Sequence, residues 1–192
     1  MKKSVSFILA LLSIGILAGC SNGTTPSPTT PPVVEVPPKV NADKGMMMGH
    51  GNVISEEEFI VGMIPHHQEA VDTSMIIIAK SENQKLKAIA QGIIVAQKKE
   101  IIQLTGWLQS WYSNSTIKGE HSAMMRDLTK LSGHELDDAY MEDMIKHHEG
   151  AIDMAQDILE VSQKPEIVEL AQNIIASQTA EIETFKKMLN DH

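Results

Sequence analysis

One stretch of this chain is written twice. Met63-Ile64-Pro65-His66-His67-Gln68-Glu69-Ala70-Val71-Asp72 returns as Met144-Ile145-Lys146-His147-His148-Glu149-Gly150-Ala151-Ile152-Asp153. The offset of 81 residues (147 − 66) also relates Phe59 to Tyr140, Ala90 to Ala171, Gln97 to Gln178, Glu100 to Glu181 and Leu108 to Leu189. An offset that holds from position 59 to position 108 without insertion makes the repeated unit a whole supersecondary piece of about fifty residues.

Each copy reads as two helices. Ser55-Glu56-Glu57-Glu58 fits a capping box with Ser55 as N-cap, and Ile60, Met63, Ile64, His67, Ala70, Val71, Ser74 and Ile78 recur at the helical period to about Lys80. Pro65 predicts a bend inside this helix, and Lys146 at the same place in the second copy makes the bend inessential. Ser81 with Gln84 is expected to cap a second helix through Leu86, Ala90, Ile93, Ile94, Ile101, Leu104 and Leu108 to about Trp111, and the short turn between the two makes an antiparallel αα-hairpin. After a connector over 113–132, with a short helix ending near Leu131, Ser132 and Glu135 cap a third helix to about Val161. Pro165 opens a fourth, to about Leu189. The prediction is an all-α fold, a four-helix bundle over 55–192 built from two duplicated αα-hairpins, repeat 1 at 55–112 and repeat 2 at 133–190. Hydrophobic residues make up 42% of the chain but aromatic ones only 4%, so aliphatic side chains and the twelve methionines must fill the core. The connector is long enough either to turn back locally or to cross the bundle. The direction of the third helix, and with it the choice between one central site and two separate ones, stays open at this stage.

Residues 1–19 read as a signal peptide: a basic start at Lys2-Lys3, an apolar run from Val5 to Leu17, and small residues at the end. Leu17-Ala18-Gly19-Cys20 resembles the bacterial lipoprotein processing box, in which the cysteine is acylated and becomes the new N-terminus. Residues 20–54 are rich in Pro and Thr and are expected to form a disordered, extended tether from a lipid anchor in the envelope, on the extracytoplasmic side. Without Lys2 and Lys3 the chain carries 14 basic against 25 acidic residues, a net −11, which argues against nucleic acid or anionic lipid as a partner. Cys20 is the single cysteine, so a metal site in the mature chain has to be made from His, Met and carboxylates.

On a helical wheel with Met63 at zero, His67 falls near +40° and His66 near −60°, so Met63 and His67 are expected to face the core with His66 flanking. The second copy repeats this with Met144 and His148 inward and His147 flanking, and adds Met141 and Met154 near the same face. Asp72 and Asp153 fall on the opposite side and read as solvated. Gln97 and Gln178 interrupt the apolar stripes of the partner helices. Equal counts from the turn place each beside its His-His pair, with Glu100 and Glu181 beside Met63 and Met144, so the glutamines are expected to orient imidazoles from behind. Two further Met/His clusters, Met46-Met47-Met48 with His50 and His121 with Met124-Met125, precede the two repeats as candidate capture ligands. Imidazole with thioether and no thiolate suits copper best, as Cu(I) or Cu(II), with Ag(I) as a mimic and zinc or nickel able to enter His-rich variants. There is no Glu-x-x-His, His-Glu-x-x-His, phosphate loop or recognisable nucleophile, so no catalysis is expected.

The block Met63-Ile64-Pro65-His66-His67 with Ala90, Ile94, Gln97, Glu100 and Ile101, matched by Met144-Ile145-Lys146-His147-His148 with Ala171, Ile175, Gln178, Glu181 and Ile182, resembles the bacterial family catalogued as domain of unknown function 305. The resemblance spans about residues 55–190. It implies a ferritin-like bundle, exported or attached to the envelope, with copper bound through Met and His in some members. Glu69 is matched by Gly150, so a carboxylate at this place belongs to one half only. The expectation is an envelope-anchored copper-binding protein that sequesters or transfers the metal, with a homo-oligomer or a copper-handling partner protein left open. The alternatives are a helical interaction module with a structural His/Gln layer and, more weakly, a ferritin-like metal-dependent oxidase.

Overall fold

The computed structural model describes residues 55–117 and 123–191. The expected signal peptide, Cys20, the tether, the Met46–His50 cluster and His121 lie outside the described residues. Four helices carry the fold: α1 at Glu56–Lys80, α2 at Gln84–Trp111, α3 at Gly133–Val161 and α4 at Pro165–Asn190, with a 3-10 turn at Leu128–Lys130 before α3. Among the described residues no helix is long and apolar enough to cross a membrane.

The first helix begins as its sequence dictates, with Ser55 Oγ accepting from Glu58 N–H at 3.2 Å and donating to the Glu58 carboxylate at 2.9 Å. Two other caps differ from expectation. Ser81 closes α1, its N–H donating to Ile77 O, and the N-cap of α2 is Asn83, whose side chain accepts from Leu86 N–H at 3.1 Å. Asparagine is as good a cap as serine and stands two places nearer the helix start. Ser132 makes no side-chain cap bond, because Gly133 enters the helix at a φ of 57°, a left-handed turn that glycine adopts at no steric cost. Pro165 occupies the first turn of α4, where its missing N–H would have had no helical partner.

Within each repeat the helices pack as an antiparallel hairpin, and the hairpins join along α1 and α3. One core cluster combines Ala70 and Ile77 of late α1 with Leu136, Tyr140 and Met144 of early α3. The other combines Phe59, Ile60 and Met63 of early α1 with Ala151, Ala155 and Ile158 of late α3. Helices α1 and α3 therefore run antiparallel, α2 and α3 parallel, and the connector has to traverse the length of the bundle. Its ends are tied at opposite ends of α1. Tyr112 donates its hydroxyl to Glu56 at 3.0 Å, and the Lys80 ammonium donates to the carbonyls of Thr129 and Leu131 at 2.6 and 2.8 Å. This single long crossover is the ferritin-like arrangement.

Glu56 also accepts from Ser162 Oγ at 2.7 Å and lies 3.5 Å from the Lys164 ammonium, so one carboxylate clasps the start of α1, the end of α3 and the connector. Burial raises its pKa, but the hydrogen bonds from Ser162 and Tyr112 and the Lys164 charge outweigh burial and hold it below the ordinary carboxylate value.

The duplication is legible in the packing. Tyr140 and Ser74, both fully buried, share a hydrogen bond of 2.8 Å, and their counterparts at the other end of the bundle are Phe59 and Ala155. The hydroxyl is present only where it has a partner, and burial pushes the Tyr140 pKa up, so it stays protonated. Tyr140→Phe alone is expected to cost about 1–2 kcal/mol, because it strands the Ser74 hydroxyl. Tyr140→Phe with Ser74→Ala recreates the Phe/Ala pair of the other half and should recover most of that loss. Urea unfolding of the four proteins gives the coupling, and a value under about 0.3 kcal/mol would refute the assignment.

Candidate metal centre

A polar layer separates the two apolar clusters at mid-height. His66, His67, His147 and His148 are each 3% exposed or less. His66 of α1 and His147 of α3 meet across the junction of the hairpins, with ring centroids 3.8 Å apart and planes tilted by 38°. These two are equivalents under the duplication, so the pseudo-twofold axis passes between them. The two His-His pairs therefore lie in one central layer and not in two separate ones.

The second histidine of each pair turns to its own hairpin partner. His148 Nε2 is hydrogen-bonded to Glu181 Oε2 at 2.7 Å, and His67 Nε2 lies 2.8 Å from Glu100 Oε2, close enough for an ion pair though without hydrogen-bond alignment. This corrects the wheel reading, in which the first histidine merely flanks. A bundle helix has two contact faces, and residues one apart differ by about 100°; His66 therefore faces α3 while His67 faces α2. It also moves the imidazole-holding role from the glutamines to Glu100 and Glu181. Side chains lean toward their own helix N-terminus, which carries Glu100 toward the turn and His67 away from it, so the pair meets although their counts from the turn differ by one helical turn. Gln97 and Gln178 are buried in the same layer, and their amide oxygens have no hydrogen-bond partner among the described residues.

Glu69 is the element that sequence reasoning left aside. Its Oε2 lies 3.4 Å from His147 Nε2, while its Oε1 accepts from the backbone N–H groups of Met124 and Met125 at 2.8 and 3.0 Å. The unmatched pair Glu69/Gly150 was the available signal. Burial holds the His147 pKa below the ordinary imidazole value, with Glu69 opposing in part and His148 and His67 adding to the depression. A neutral imidazole is the form that can bind a metal.

Met63 and Met144 are fully buried on opposite sides of the layer, as antiparallel α1 and α3 require, with Met141 and Met125 clustered on the Met144 side. Met154 is partly buried on the Met63 side, where a Cβ at Gly62 would come 3.1 Å from its methyl group. Met124 is exposed at the surface, and Asp72 and Asp153 face outward as the wheel requires.

His67 Nδ1, His147 Nδ1 and His148 Nδ1 are buried with no hydrogen-bond partner among the described residues. Stranding a buried polar atom costs about 1–3 kcal/mol. Three of them in one layer are nitrogens that could donate an electron pair to a metal. Among the described residues no three His, Cys, Asp or Glu side chains converge on one point. The donor set is imidazole with thioether, which fits a soft ion.

The family model described as Domain of unknown function (DUF305) matches residues 56–189. CopM, solved in a Cu(I)-bound form, is 33% identical and superposes with a TM-score of 0.66 over 71% of this chain and 96% of CopM. An Ag-bound form of CopM gives 31% identity and a TM-score of 0.64 over 71% and 96%. A DUF305 fragment from Deinococcus radiodurans is 26% identical with a TM-score of 0.63 over 71% and 96%. An uncharacterized protein, L153, of Acanthamoeba polyphaga mimivirus is 33% identical over 55 residues, 29% of this chain and 36% of the viral protein, so the match spans about a third of that relative.

Proposed function

Because this chain belongs to the DUF305 family, we propose that it handles copper, holding the ion in the central imidazole layer and sequestering it or passing it on. The observation that carries this reading is that Nδ1 of His67, His147 and His148 is buried with no hydrogen-bond partner among the described residues, since a purely structural polar layer would satisfy such nitrogens. CopM, similar over nearly its whole length, has been solved with Cu(I), Cu(II) and Ag bound, which supports copper and the use of Ag(I) as a probe. Glu181 on His148 Nε2 and Glu100 beside His67 Nε2 leave Nδ1 of both rings as the donor atom, the carboxylate–histidine–metal arrangement in which the carboxylate fixes ring orientation and raises basicity. His66 and His147 supply imidazoles from the two helices of the junction, and Met63 and Met144 a thioether on either side. Met141, Met154, Met124 and Met125 are auxiliary donors around this layer, and Met46, Met47, Met48, His50 and His121 are capture ligands in the flanking segments. The role is that of a binding protein and not of an enzyme.

The test is competitive titration with Cu(I), Cu(II) and Zn(II), repeated with His66, His67, His147 and His148 all changed to Ala. Wild type should bind Cu(I) tightly and the variant should not. Equal binding by both proteins, or none by either, ends the proposal.

The reading places the protein in the envelope, held extracytoplasmically through an acylated Cys20, as the processing box suggests. Labelled palmitate should enter the wild-type chain in a bacterial host and be lost with Cys20→Ser. Undiminished labelling of the variant would exclude the anchor.

A further inference from the structure

The connector meets the metal layer at a strap of three residues. Glu69 on α1 accepts from Met124 N–H and Met125 N–H at 2.8 and 3.0 Å. Asp143 on α3, its side chain 6% exposed, accepts from Arg126 N–H at 2.9 Å and from the Arg126 guanidinium at 2.7 to 3.0 Å. Three consecutive backbone donors of the connector are thus held by carboxylates from the two helices that form the junction. Each carboxylate breaks the duplication in the same way: the counterpart of Glu69 is Gly150 and that of Asp143 is Gly62. Each half thus supplies one carboxylate to the strap, at a place where the other half has no side chain to offer.

Holding the strap by its backbone leaves the Met124 and Met125 side chains available. Met125, 9% exposed, joins the cluster that contains Met141 and Met144, and Glu69, which anchors it, also faces His147 at 3.4 Å. The soft donors are therefore concentrated on the His147 side of the layer.

We infer that Glu69 and Asp143 are positioning residues that hold the Met125 thioether against the His147 side of the centre and so set its preference for a soft monovalent ion. The inference rests on the copper reading. Glu69 acts through the strap and is not itself a ligand, which separates it from a carboxylate site that would favour a harder divalent ion.

The experiment compares Ag(I) and Zn(II) affinities of the full chain, Glu69→Ala, Met125→Leu and the double variant, together with hydrogen exchange at the amides of residues 124 and 125. Glycine already stands at the matching place in the other repeat, so α1 tolerates loss of this side chain. Glu69→Ala should weaken Ag(I) binding about tenfold or more, as loss of a supporting group around a metal does. Met125→Leu should do the same, and the double variant should be no worse than Met125→Leu alone. Zn(II) binding should change little, and both amides should exchange faster once Glu69 is gone. An Ag(I) affinity unchanged in Glu69→Ala overturns the inference and leaves the copper reading intact. A Zn(II) loss as large as the Ag(I) loss overturns it by making Glu69 a ligand. Failure of the wild-type chain to bind Ag(I) sinks the copper reading, and this inference with it, even where amide protection still depends on Glu69.

Discussion

His66→Leu with His147→Leu is expected to lower Cu(I) and Ag(I) affinity about a hundredfold or more while leaving the apo protein as stable as wild type, or more stable by about 1–3 kcal/mol. The two effects have one cause. The rings meet at 3.8 Å in a layer closed to water, and neither nitrogen of His147 has a hydrogen bond among the described residues. Burial also disfavours the charged form of His147, as its lowered pKa records, so this ring cannot recover its cost by ionising. Leucine at both places removes the polar atoms and keeps comparable volume, the substitution that is near neutral or stabilising when both partners leave together. Urea unfolding of the metal-free proteins and competition for Cu(I) measure the two sides. A loss of about 2 kcal/mol in the apo state with affinity retained would make the layer structural.

The opposite signature is expected one shell out. Phe185 is fully buried, edge-on to Tyr140 at 5.9 Å and 6.3 Å from the His148 ring. Phe185→Ala should cost about 3–5 kcal/mol of stability, through lost burial and the cavity left beside two rings that have little room to collapse, and Phe185→Leu a much smaller share. Metal affinity of the folded variant should fall only to the extent that His148 loses its support, well short of the histidine variants. If Phe185→Ala unfolds with a midpoint within about 1 kcal/mol of wild type, the packing described for this cluster is wrong. Together the two results separate residues that hold the bundle from residues that the bundle holds.

The helices, the hairpin pairing and the position of the histidine layer were legible because they follow from periodicity, from turn and cap residues and from a repeat in constant register. What was not legible depends on the third dimension. A helical wheel has one inward direction, whereas α1 is buried on two sides, so His66 was assigned to a flank although it meets His147 at the centre. Counting from the turn ignores the lean of side chains along a helix, and so Gln97 displaced Glu100 as the partner of His67. The crossover was unreadable because a connector of that length permits either direction of α3. The strap at Met124–Arg126 was hidden because its bonds are made by backbone donors, which carry no sequence signal; only Glu69 against Gly150 and Asp143 against Gly62 betray it.

The central claim is that a soft ion binds between the two His-His pairs at the junction of α1 and α3. Anomalous scattering from crystals of the protein grown with Ag(I) tests it without reference to any variant. The account predicts a dominant peak in the layer bounded by His66, His67, His147 and His148, with thioether sulfur next to it. Peaks confined to exposed side chains such as Met124, with no density in the layer, would contradict it.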